Sequence, residues 1–297
     1  MENGKILVKN LVSEFSSKLS GTYGEEEIRQ IIYMLFGEYM GWPKTMIHLS
    51  WDEQLPADVQ AMFAGALAEL CNGKPVQYIL GKTWFNGWLL RVDSRVLIPR
   101  PETEELCEII GAVAGSLKHP ISILDIGTGS GCIPVDLKKR LPDSHITAID
   151  ISSGALVVAL ENAFDNHCEI TFLKADILNG DDRQKLGVFN LIVSNPPYVP
   201  EGEKVMMNRN VADFEPALAL FVPDDDPLRY YRAITAFSSG HLTRPGYLFF
   251  EIHERFGQQI SDMVNVSGFS EVEVLRDIHG KERFIKAVLK SPSTPGS

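Results

Sequence analysis

The sequence predicts an α/β fold with a mainly parallel sheet. In the C-terminal two thirds of the chain, short apolar runs alternate with stretches of helical periodicity, as in parallel strands joined by helices. The apolar runs lie at 121–126, 145–149, 169–174, 189–194 and 246–252, and the helical stretches at 132–140, 153–164 and 227–239. We expect these strands to be buried on both faces. Residues 271–275 and 283–289 flank a turn and predict an antiparallel pair at one side of the sheet.

Residues 1–75 predict a separate helical domain. Apolar residues recur there at helical spacing. Thr22-x-x-Glu25 has the pattern of a capping box that opens the second helix. Pro56 is placed as the first residue of a later helix. We interpret this part as a small bundle whose use would be to hold a partner.

A β-hairpin linker is predicted between this bundle and the α/β domain, over residues 76–100. Asn86-Gly87 lies between two runs of strand type, which is a strong signal for a two-residue hairpin turn. Pro101 then suits the first position of a helix. We therefore assign residues 101–290 to the α/β domain and expect the Ser- and Pro-rich tail, 291–297, to be loose.

Composition narrows the class of protein. With 297 residues, 44% of them hydrophobic, the chain can bury a large core. Lys plus Arg is 28 and Asp plus Glu is 39, so the formal net charge of −11 disfavours a nucleic-acid substrate. The four cysteines form no C-x-x-C pair, and nothing indicates a zinc site or any other bound metal. We find no signal peptide and no membrane span, and we expect a reduced, cytosolic protein.

The corner Asn195-Pro196-Pro197-Tyr198 follows the run 189–194 and carries the clearest chemical signal. Proline fixes its own φ and disfavours helix in the residue before it, so Asn195 and Pro196 should be extended. The side-chain amide oxygen of Asn195 and the carbonyl of Pro196 can then accept both protons of a planar –NH₂ group, while the ring of Tyr198 offers a flat face. We predict a receptor for such a group at the carboxyl end of a strand, where ligands bind in parallel sheets.

A glycine-rich turn follows the first strand of the α/β domain. Gly127-Thr128-Gly129-Ser130-Gly131 has the spacing G-x-G-x-G rather than G-x-G-x-x-G, and the acidic residue Asp125 stands inside the turn. That carboxylate would suit an ammonium and a sulfonium better than a pyrophosphate. Asp150 follows the second strand, where it can accept both hydroxyls of a ribose. Asp176 follows the third, where it can accept from an adenine amine with Ile177 against the ring. Together these residues indicate an S-adenosylmethionine pocket.

Arg100 is a further candidate for the substrate site. It stands between Pro99 and Pro101, and a turn before a helix is enough to explain these two prolines. A guanidinium held between two rigid residues could bind a carboxylate of a ligand.

With these motifs, the chain resembles the class I amino-group methyltransferases and, among them, the peptide chain release factor glutamine-N5 methyltransferases. The resemblance covers about residues 75 to 290. It rests on the glycine turn, the two following aspartates, Pro75-Val76-Gln77-Tyr78-Ile79-Leu80-Gly81, Leu97-Ile98-Pro99-Arg100-Pro101-Glu102-Thr103-Glu104, Asn195-Pro196-Pro197-Tyr198 and Phe214-Glu215-Pro216. It implies a Rossmann-like, seven-stranded mixed sheet, preceded by the helical domain, which would dock the substrate, and by the hairpin linker. The implied reaction is methyl transfer from S-adenosylmethionine to the glutamine of the Gly-Gly-Gln motif of release factors.

The residue patterns and the resemblance together suggest roles for individual residues. Asn195, Pro196 and Tyr198 would be catalytic, and these three with Pro197 and Arg100 would bind the substrate. The cofactor would be held by Asp125, Gly127, Thr128, Gly129, Ser130, Gly131, Asp150, Ile151, Asp176, Ile177 and Asn195. The position after Asp176 often holds an aromatic residue in the family, whereas here it is Ile177. The segment before Phe214-Glu215-Pro216 is given no more than a supporting role.

Other functions use parts of the same pattern. The Asn-Pro-Pro-Tyr corner also suits the exocyclic amine of a DNA or RNA base, although the acidic chain disfavours that substrate. A ribosomal-protein glutamine methyltransferase is a nearer alternative that the sequence separates poorly. A nicotinamide oxidoreductase could use a glycine turn, but the position of Asp125 and the glycine spacing disfavour it. A non-catalytic docking protein would not need Asn195.

Overall fold

The computed structural model describes residues 6–118 and 120–290, so the predicted loose tail, 291–297, lies outside the described residues. The described residues divide into two compact units. The first contains the residues up to Gly81 together with Asn208–Phe214, and the second contains Lys82–Met207 and Glu215 onward.

The first unit is helical. Its N-terminal helices are α1 (Val8–Leu19), α2 (Glu25–Met40), α3 (Lys44–Leu49), α4 (Ala57–Cys71) and α5 (Val76–Leu80). Phe15, Phe36 and Phe63 are at most 1% exposed and form the aromatic centre of its core. The rings of Phe36 and Phe63 are 4.6 Å apart between centroids, and Phe15 meets Phe63 edge-on at 6.0 Å. Burial of each ring contributes roughly 1.5–3 kcal/mol, which explains why these short helices form one bundle.

The second unit contains the remaining elements except α10, and the numbering continues along the chain. Its strands are β1 (Lys82–Phe85), β2 (Trp88–Arg91), β3 (Ser122–Ile126), β4 (His145–Asp150), β5 (Thr171–Lys174), β6 (Phe189–Ser194), β7 (Val199–Pro200), β8 (Phe221–Val222), β9 (Leu242–Glu251), β10 (Ser270–Arg276) and β11 (Glu282–Leu289). The later helices are α6 (Pro101–Ala114), α7 (Cys132–Arg140), α8 (Ser153–Asp165), α9 (Gly180–Arg183), α10 (Arg209–Ala212, in the first unit), α11 (Ala217–Leu220), α12 (Arg229–His241) and α13 (Gly257–Val266), with a 3₁₀ turn at Glu201–Met206.

Seven of the strands in the described part of the chain form one mixed sheet with the order β10-β11-β9-β6-β3-β4-β5. The pairs β3–β4, β4–β5, β3–β6 and β6–β9 are parallel. Strands β10 and β11 are antiparallel at one side. The predicted α/β fold and its antiparallel pair are therefore confirmed, as is the hairpin formed by β1 and β2 around Asn86-Gly87.

The sheet is covered on both faces, which explains the continuous apolar runs. Because successive side chains point to opposite faces, Leu124 and Ile192 pack into one core, and Ile123 and Leu191 pack into the other. Strand β5 is the exception. It lies at the edge of the sheet, and Thr171, Leu173 and Lys174 are exposed, so the prediction that this run is buried on both faces is wrong.

Strand β9 is longer than the sequence predicts. It begins at Leu242 rather than 246, because Leu242 already pairs with Phe189 of β6, and the register of the pairing then shifts between Phe189 and Leu191. Pro245 has no N–H group, which a regular ladder of hydrogen bonds would require. It can lie within β9 because the pairing is irregular at this place.

Several helix starts also differ. The predicted capping box is wrong, because α2 begins at Glu25 with Gly24 as its N-cap and no side-chain cap. Pro56 is the N-cap of α4 rather than its first residue, and α12 begins at Arg229, two residues after the predicted start. Pro101 does occupy the first turn of α6.

The chain order places a crevice beside the middle of the sheet. From β3 the chain continues outward to β4 and β5, and then returns to the other side of β3 to form β6 and β9. The carboxyl ends of β3 and β6 therefore lie at a topological switch point, the place where open α/β sheets bind ligands.

Candidate active site

A cavity opens at the carboxyl ends of β3, β4 and β6 and brings most of the predicted site residues together. Its lining includes the predicted residues Arg100, Gly127, Thr128, Gly129, Ser130, Asp150, Ile151, Asp176, Ile177, Asn195, Pro196 and Pro197. Asp125, Gly131 and Tyr198 are not part of the lining formed by the described residues. Each of them is adjacent in the chain to a residue that does line the cavity.

The glycine turn has a backbone that other residues adopt only with strain. Gly127, Gly129 and Gly131 have φ values of +76°, +55° and +78°. Gly131 also packs closely against α8, since an added Cβ would lie 3.0 Å from the Cβ of Ala159. The turn is fixed to β4 by the N–H groups of Gly127 and Thr128, which both donate to the carbonyl of Ile149 at 2.9 and 3.0 Å.

Asp150 supports this turn from the end of β4. One of its carboxylate oxygens accepts from the N–H of Gly129 at 2.9 Å, and the other accepts from the N–H of Ser152 at 2.8 Å. Each oxygen keeps a free lone pair for a ligand. Burial raises the pKa of Asp150, and the backbone donors oppose that rise.

Asp125 lies on β3 rather than inside the turn, which corrects the sequence prediction of its place. It is fully buried, and neither carboxylate oxygen has a hydrogen-bond partner in the described part of the chain. Burial raises the pKa of Asp125 to about 7; the nearby hydroxyl of Thr128, although outside hydrogen-bond geometry, opposes that rise, and the negative charge of Asp150 adds to it. The buried hydroxyls of Thr128 and Ser130 lack a partner there as well. Buried polar atoms are normally paired, so these oxygens suit a ligand that donates several hydrogen bonds, such as an ammonium.

Tyr230 is a cavity residue that the sequence analysis missed. It lies on α12 beside Ile234, one helical turn on, and both line the cavity together with Asp176 and Ile177. Burial raises the pKa of its hydroxyl, and Asp176 adds to the rise. Tyr230 therefore supplies an aromatic ring to the same cavity that Ile177 lines.

The Asn-Pro-Pro-Tyr corner is tied to its surroundings by side-chain hydrogen bonds. The hydroxyl of Ser194, at the end of β6, donates to the carbonyl of Ile126 at 2.7 Å and joins the corner to the glycine turn. The side-chain amide of Asn195 donates to the hydroxyl of Thr103 at 3.3 Å. The hydroxyl of Tyr198 donates to Glu251 at 3.2 Å. Burial raises the pKa of Tyr198 above its usual range, so its hydroxyl stays protonated.

Arg100 lines the cavity but already has a carboxylate partner within the chain. Its guanidinium lies 2.6 Å from Glu215, whose side chain is 1% exposed. The second oxygen of Glu215 accepts from the N–H of Ile98 at 3.1 Å. Glu215 therefore fixes the segment before α6.

Comparisons with known proteins agree with this geometry. A model described as the PrmC N-terminal domain matches residues 10–81, and one described as the Methyltransferase small domain matches residues 113–215. A solved methyltransferase from Pyrococcus furiosus shares the fold, with a TM-score of 0.51 and 16% identity, over 80% of this chain and all of that one. The release factor glutamine methyltransferase of Flavobacterium psychrophilum is 40% identical over 95% of this chain and 99% of its own. The release factor glutamine methyltransferase of Bacteroides thetaiotaomicron is 38% identical over 94% of this chain and 99% of its own.

The fold and the site define a class I methyltransferase. Within that class, the extent of the match with its relatives shows that the chain belongs to the family of release factor glutamine methyltransferases. The resemblance that its motifs suggested is thereby confirmed.

In the part of the chain that the structure describes, no helix combines the length and the apolar character that a membrane crossing requires.

Proposed function

We propose that this chain transfers a methyl group from S-adenosylmethionine to the side-chain amide nitrogen of the glutamine in the Gly-Gly-Gln motif of peptide chain release factors. One observation carries the proposal: a single cavity is lined both by the glycine turn with its unpaired buried oxygens and by the acceptor pair at Asn195 and Pro196. The names of the relatives support the choice of substrate.

The residues around the turn fit the cofactor. The carboxylate of Asp125 and the hydroxyls of Thr128 and Ser130 would receive its ammonium group. Asp150 and Ile151 would hold the ribose, and Asp176, Ile177 and Tyr230 would surround the adenine. When bound, S-adenosylmethionine supplies an electrophilic methyl carbon on a sulfonium.

The corner would hold and orient the glutamine. The nitrogen of an amide is a poor nucleophile because its lone pair is delocalised into the carbonyl. The oxygen of the Asn195 side chain and the carbonyl of Pro196 would accept its two protons and direct the nitrogen toward the methyl carbon. Such orientation alone can account for several powers of ten in rate.

Proton release needs no dedicated base in this site. The cavity lining formed by the described residues includes no histidine or lysine, and the carboxylates of Asp150 and Asp176 accept backbone N–H groups. We propose that the proton leaves after methyl transfer, to water. The π-face of Tyr198 would stabilise the positive charge in the meantime.

We also propose that residues 1–75 form the domain that docks the release factor. Photocross-linkers placed at exposed positions such as Leu49, which is 80% exposed, should capture the full-length substrate. The same cross-linkers on the methyltransferase domain at Val266, which is 86% exposed, provide a matched control. Capture from Val266 alone would contradict the docking role.

The experiment that tests the reaction is transfer of a labelled methyl group into purified release factor, ribosomal protein, DNA and transfer RNA side by side. We expect label in the release factor alone, mapped by mass spectrometry to the glutamine of Gly-Gly-Gln. A release factor with this glutamine changed to alanine is the matched control and should take up none. Label in a ribosomal protein or a nucleic acid, with the release factor unmodified, would replace the proposal with the corresponding alternative.

A further inference from the structure

Glu251 is a buried carboxylate that no ion pair within the described residues accounts for. It is the last residue of β9 and is 1% exposed. Burial raises the pKa of Glu251, and the hydroxyls of Thr103 and Tyr198, which donate to it, oppose that rise. Among the described residues, no cation forms a salt bridge with it, and Arg283 binds Asp277 at 3.3 Å. Burying a carboxylate is costly unless hydrogen bonds compensate. The partners of Glu251 therefore indicate what it does.

Both hydrogen-bond partners of the Glu251 carboxylate lead to the Asn-Pro-Pro-Tyr corner. One oxygen accepts from the hydroxyl of Thr103 at 2.6 Å, and the other accepts from the hydroxyl of Tyr198 at 3.2 Å. Thr103 in turn accepts from the side-chain amide of Asn195 at 3.3 Å. One carboxylate thus holds Tyr198 directly and Asn195 through a single intermediate residue.

The direction of this chain of hydrogen bonds determines which end of the Asn195 amide faces the substrate. A threonine hydroxyl has one hydrogen, and here that hydrogen goes to Glu251. The oxygen of Thr103 can therefore only accept, so it selects the –NH₂ end of Asn195. This leaves the amide oxygen of Asn195 available as an acceptor in the cavity. The opposite orientation would set two N–H donors against the –NH₂ group of the incoming glutamine.

We propose that Thr103 and Glu251 are positioning residues that hold the Asn195 side chain with its oxygen toward the nucleophilic nitrogen. This inference rests on the proposed function, since it assumes an –NH₂ group at the corner. It adds two residues from distant parts of the chain, 148 positions apart. Thr103 and Glu251 act through Asn195 and Tyr198 rather than on the reacting atoms.

Thr103→Val is the first test because valine keeps the shape of threonine and removes the hydroxyl. The single-turnover rate of methyl transfer to the release factor should fall roughly 10- to 100-fold, the size of loss that a misplaced group causes. Affinity for S-adenosylhomocysteine should stay within about threefold, because Asn195 orients the substrate. Thr103→Ser keeps the hydroxyl and should recover most of the rate. A Thr103→Val rate equal to that of the wild type would overturn the proposal.

A double-mutant cycle separates positioning from a general structural role. In an Asn195→Ala background there is no amide to orient, so Thr103→Val should lower the rate by less than about twofold. If the rate loss of the double variant equals the product of the losses in the two single variants, Thr103 acts independently of Asn195 and the proposal is wrong. Rates are measured well below the unfolding midpoint of each variant, so that lost stability is not mistaken for lost rate.

Glu251→Gln provides a second, independent variant. A glutamine can turn its –NH₂ group toward Thr103, which frees the hydroxyl hydrogen of Thr103 to bind the oxygen of Asn195 and reverse the amide. The rate should fall, and the part of the fall that acts through Asn195 should disappear in the Asn195→Ala background, which leaves only the part that acts through Tyr198. A Glu251→Gln loss that persists in full in that background would contradict the inference.

Failure of this inference is distinguishable from failure of the proposed function. If the wild-type enzyme leaves the Gly-Gly-Gln glutamine unmodified, the proposed function fails and the inference fails with it. If the wild type methylates this glutamine and the variants of Thr103 and Glu251 show wild-type or fully additive rates, the inference alone fails.

Discussion

The two ends of the cavity differ in how their polar groups are satisfied. In and beside the glycine turn, the hydroxyls of Thr128 and Ser130 and the carboxylate of Asp125 on β3 are buried without a hydrogen-bond partner in the described residues. At the Asn-Pro-Pro-Tyr corner, Asn195 and Tyr198 are held by hydrogen bonds from within the chain.

This difference indicates what each end contributes. Unpaired buried groups gain the most from a ligand that pairs them, so the turn should determine cofactor affinity. Groups already held in place lose little freedom when the substrate arrives, so the corner should determine the rate of transfer. Changes at the two ends should therefore separate affinity from rate.

The largest effect is expected at Asn195. Asn195→Ala removes one of the two acceptors, and the single-turnover rate should fall roughly 100- to 1000-fold, as when a preorganised catalytic group is removed. Cofactor affinity, measured by calorimetry, should change by less than about threefold. Asn190→Ala, near the opposite end of β6, is the matched control and should keep its rate despite some loss of stability. Equal losses of rate and affinity at Asn195 would contradict the separation.

The next effect concerns pH at the other end of the cavity. The pKa of Asp125 in the unliganded protein is about 7, and only the ionised form attracts an ammonium. Affinity for S-adenosylhomocysteine should therefore fall about tenfold for each pH unit below 7, with release of a proton on binding at pH 6. Asp125→Asn should flatten this dependence. A wild-type affinity that is constant between pH 8 and 5.5 would contradict the role of Asp125.

The same pKa has a consequence for stability. The pKa of Asp125 is raised in the folded state, so between the unfolded value and about 7 the folded protein binds more protons than the unfolded chain. The contribution of Asp125 to the free energy of unfolding is therefore lost as the pH rises through this interval. Asp125→Asn should remove that part of the pH dependence.

A smaller effect is expected at Tyr230. Tyr230→Ala should weaken cofactor binding roughly tenfold. This is the lower end of the loss in affinity that follows when an aromatic ring beside a nucleobase is removed. Tyr230→Phe keeps the ring and should bind like the wild type. The affinities of both variants are measured by letting adenine-modified analogues compete with labelled cofactor for the site. An unchanged affinity in the alanine variant would place the adenine elsewhere.

The smallest effect is expected at Glu215. Glu215→Gln keeps an acceptor for the N–H of Ile98 and removes the charge that pairs with Arg100, whose side chain is 30% exposed. The free energy of unfolding should fall by about 1 kcal/mol, as measured with denaturant. If Arg100 binds a carboxylate of the substrate instead, the variant should alter KM and leave stability unchanged.

The sequence predicts those features that local patterns determine. The apolar run 189–194 becomes β6, because a buried parallel strand needs continuous apolar residues. The G-x-G-x-G spacing predicts Gly131, and the structure gives the reason for glycine there, because an added Cβ would conflict with both the backbone conformation and the contact with α8.

Other features depend on contacts between distant segments, and no local pattern reveals them. Tyr230, Thr103 and Glu251 reach the cavity or its corner from α12, α6 and β9. The exposure of β5 follows from its place at the edge of the sheet. Arg100 was predicted as a ligand for a carboxylate, and its partner Glu215 lies 115 positions away.

The most direct measurement is a crystal structure of the enzyme with S-adenosylhomocysteine and a Gly-Gly-Gln peptide. The account predicts the sulfur in the cavity, on the glycine-turn side, with the glutamine nitrogen roughly 5 Å from it and bonded to the oxygens of Asn195 and Pro196. A sulfur bound away from this corner, or a glutamine whose nitrogen turns away from Asn195, would contradict it.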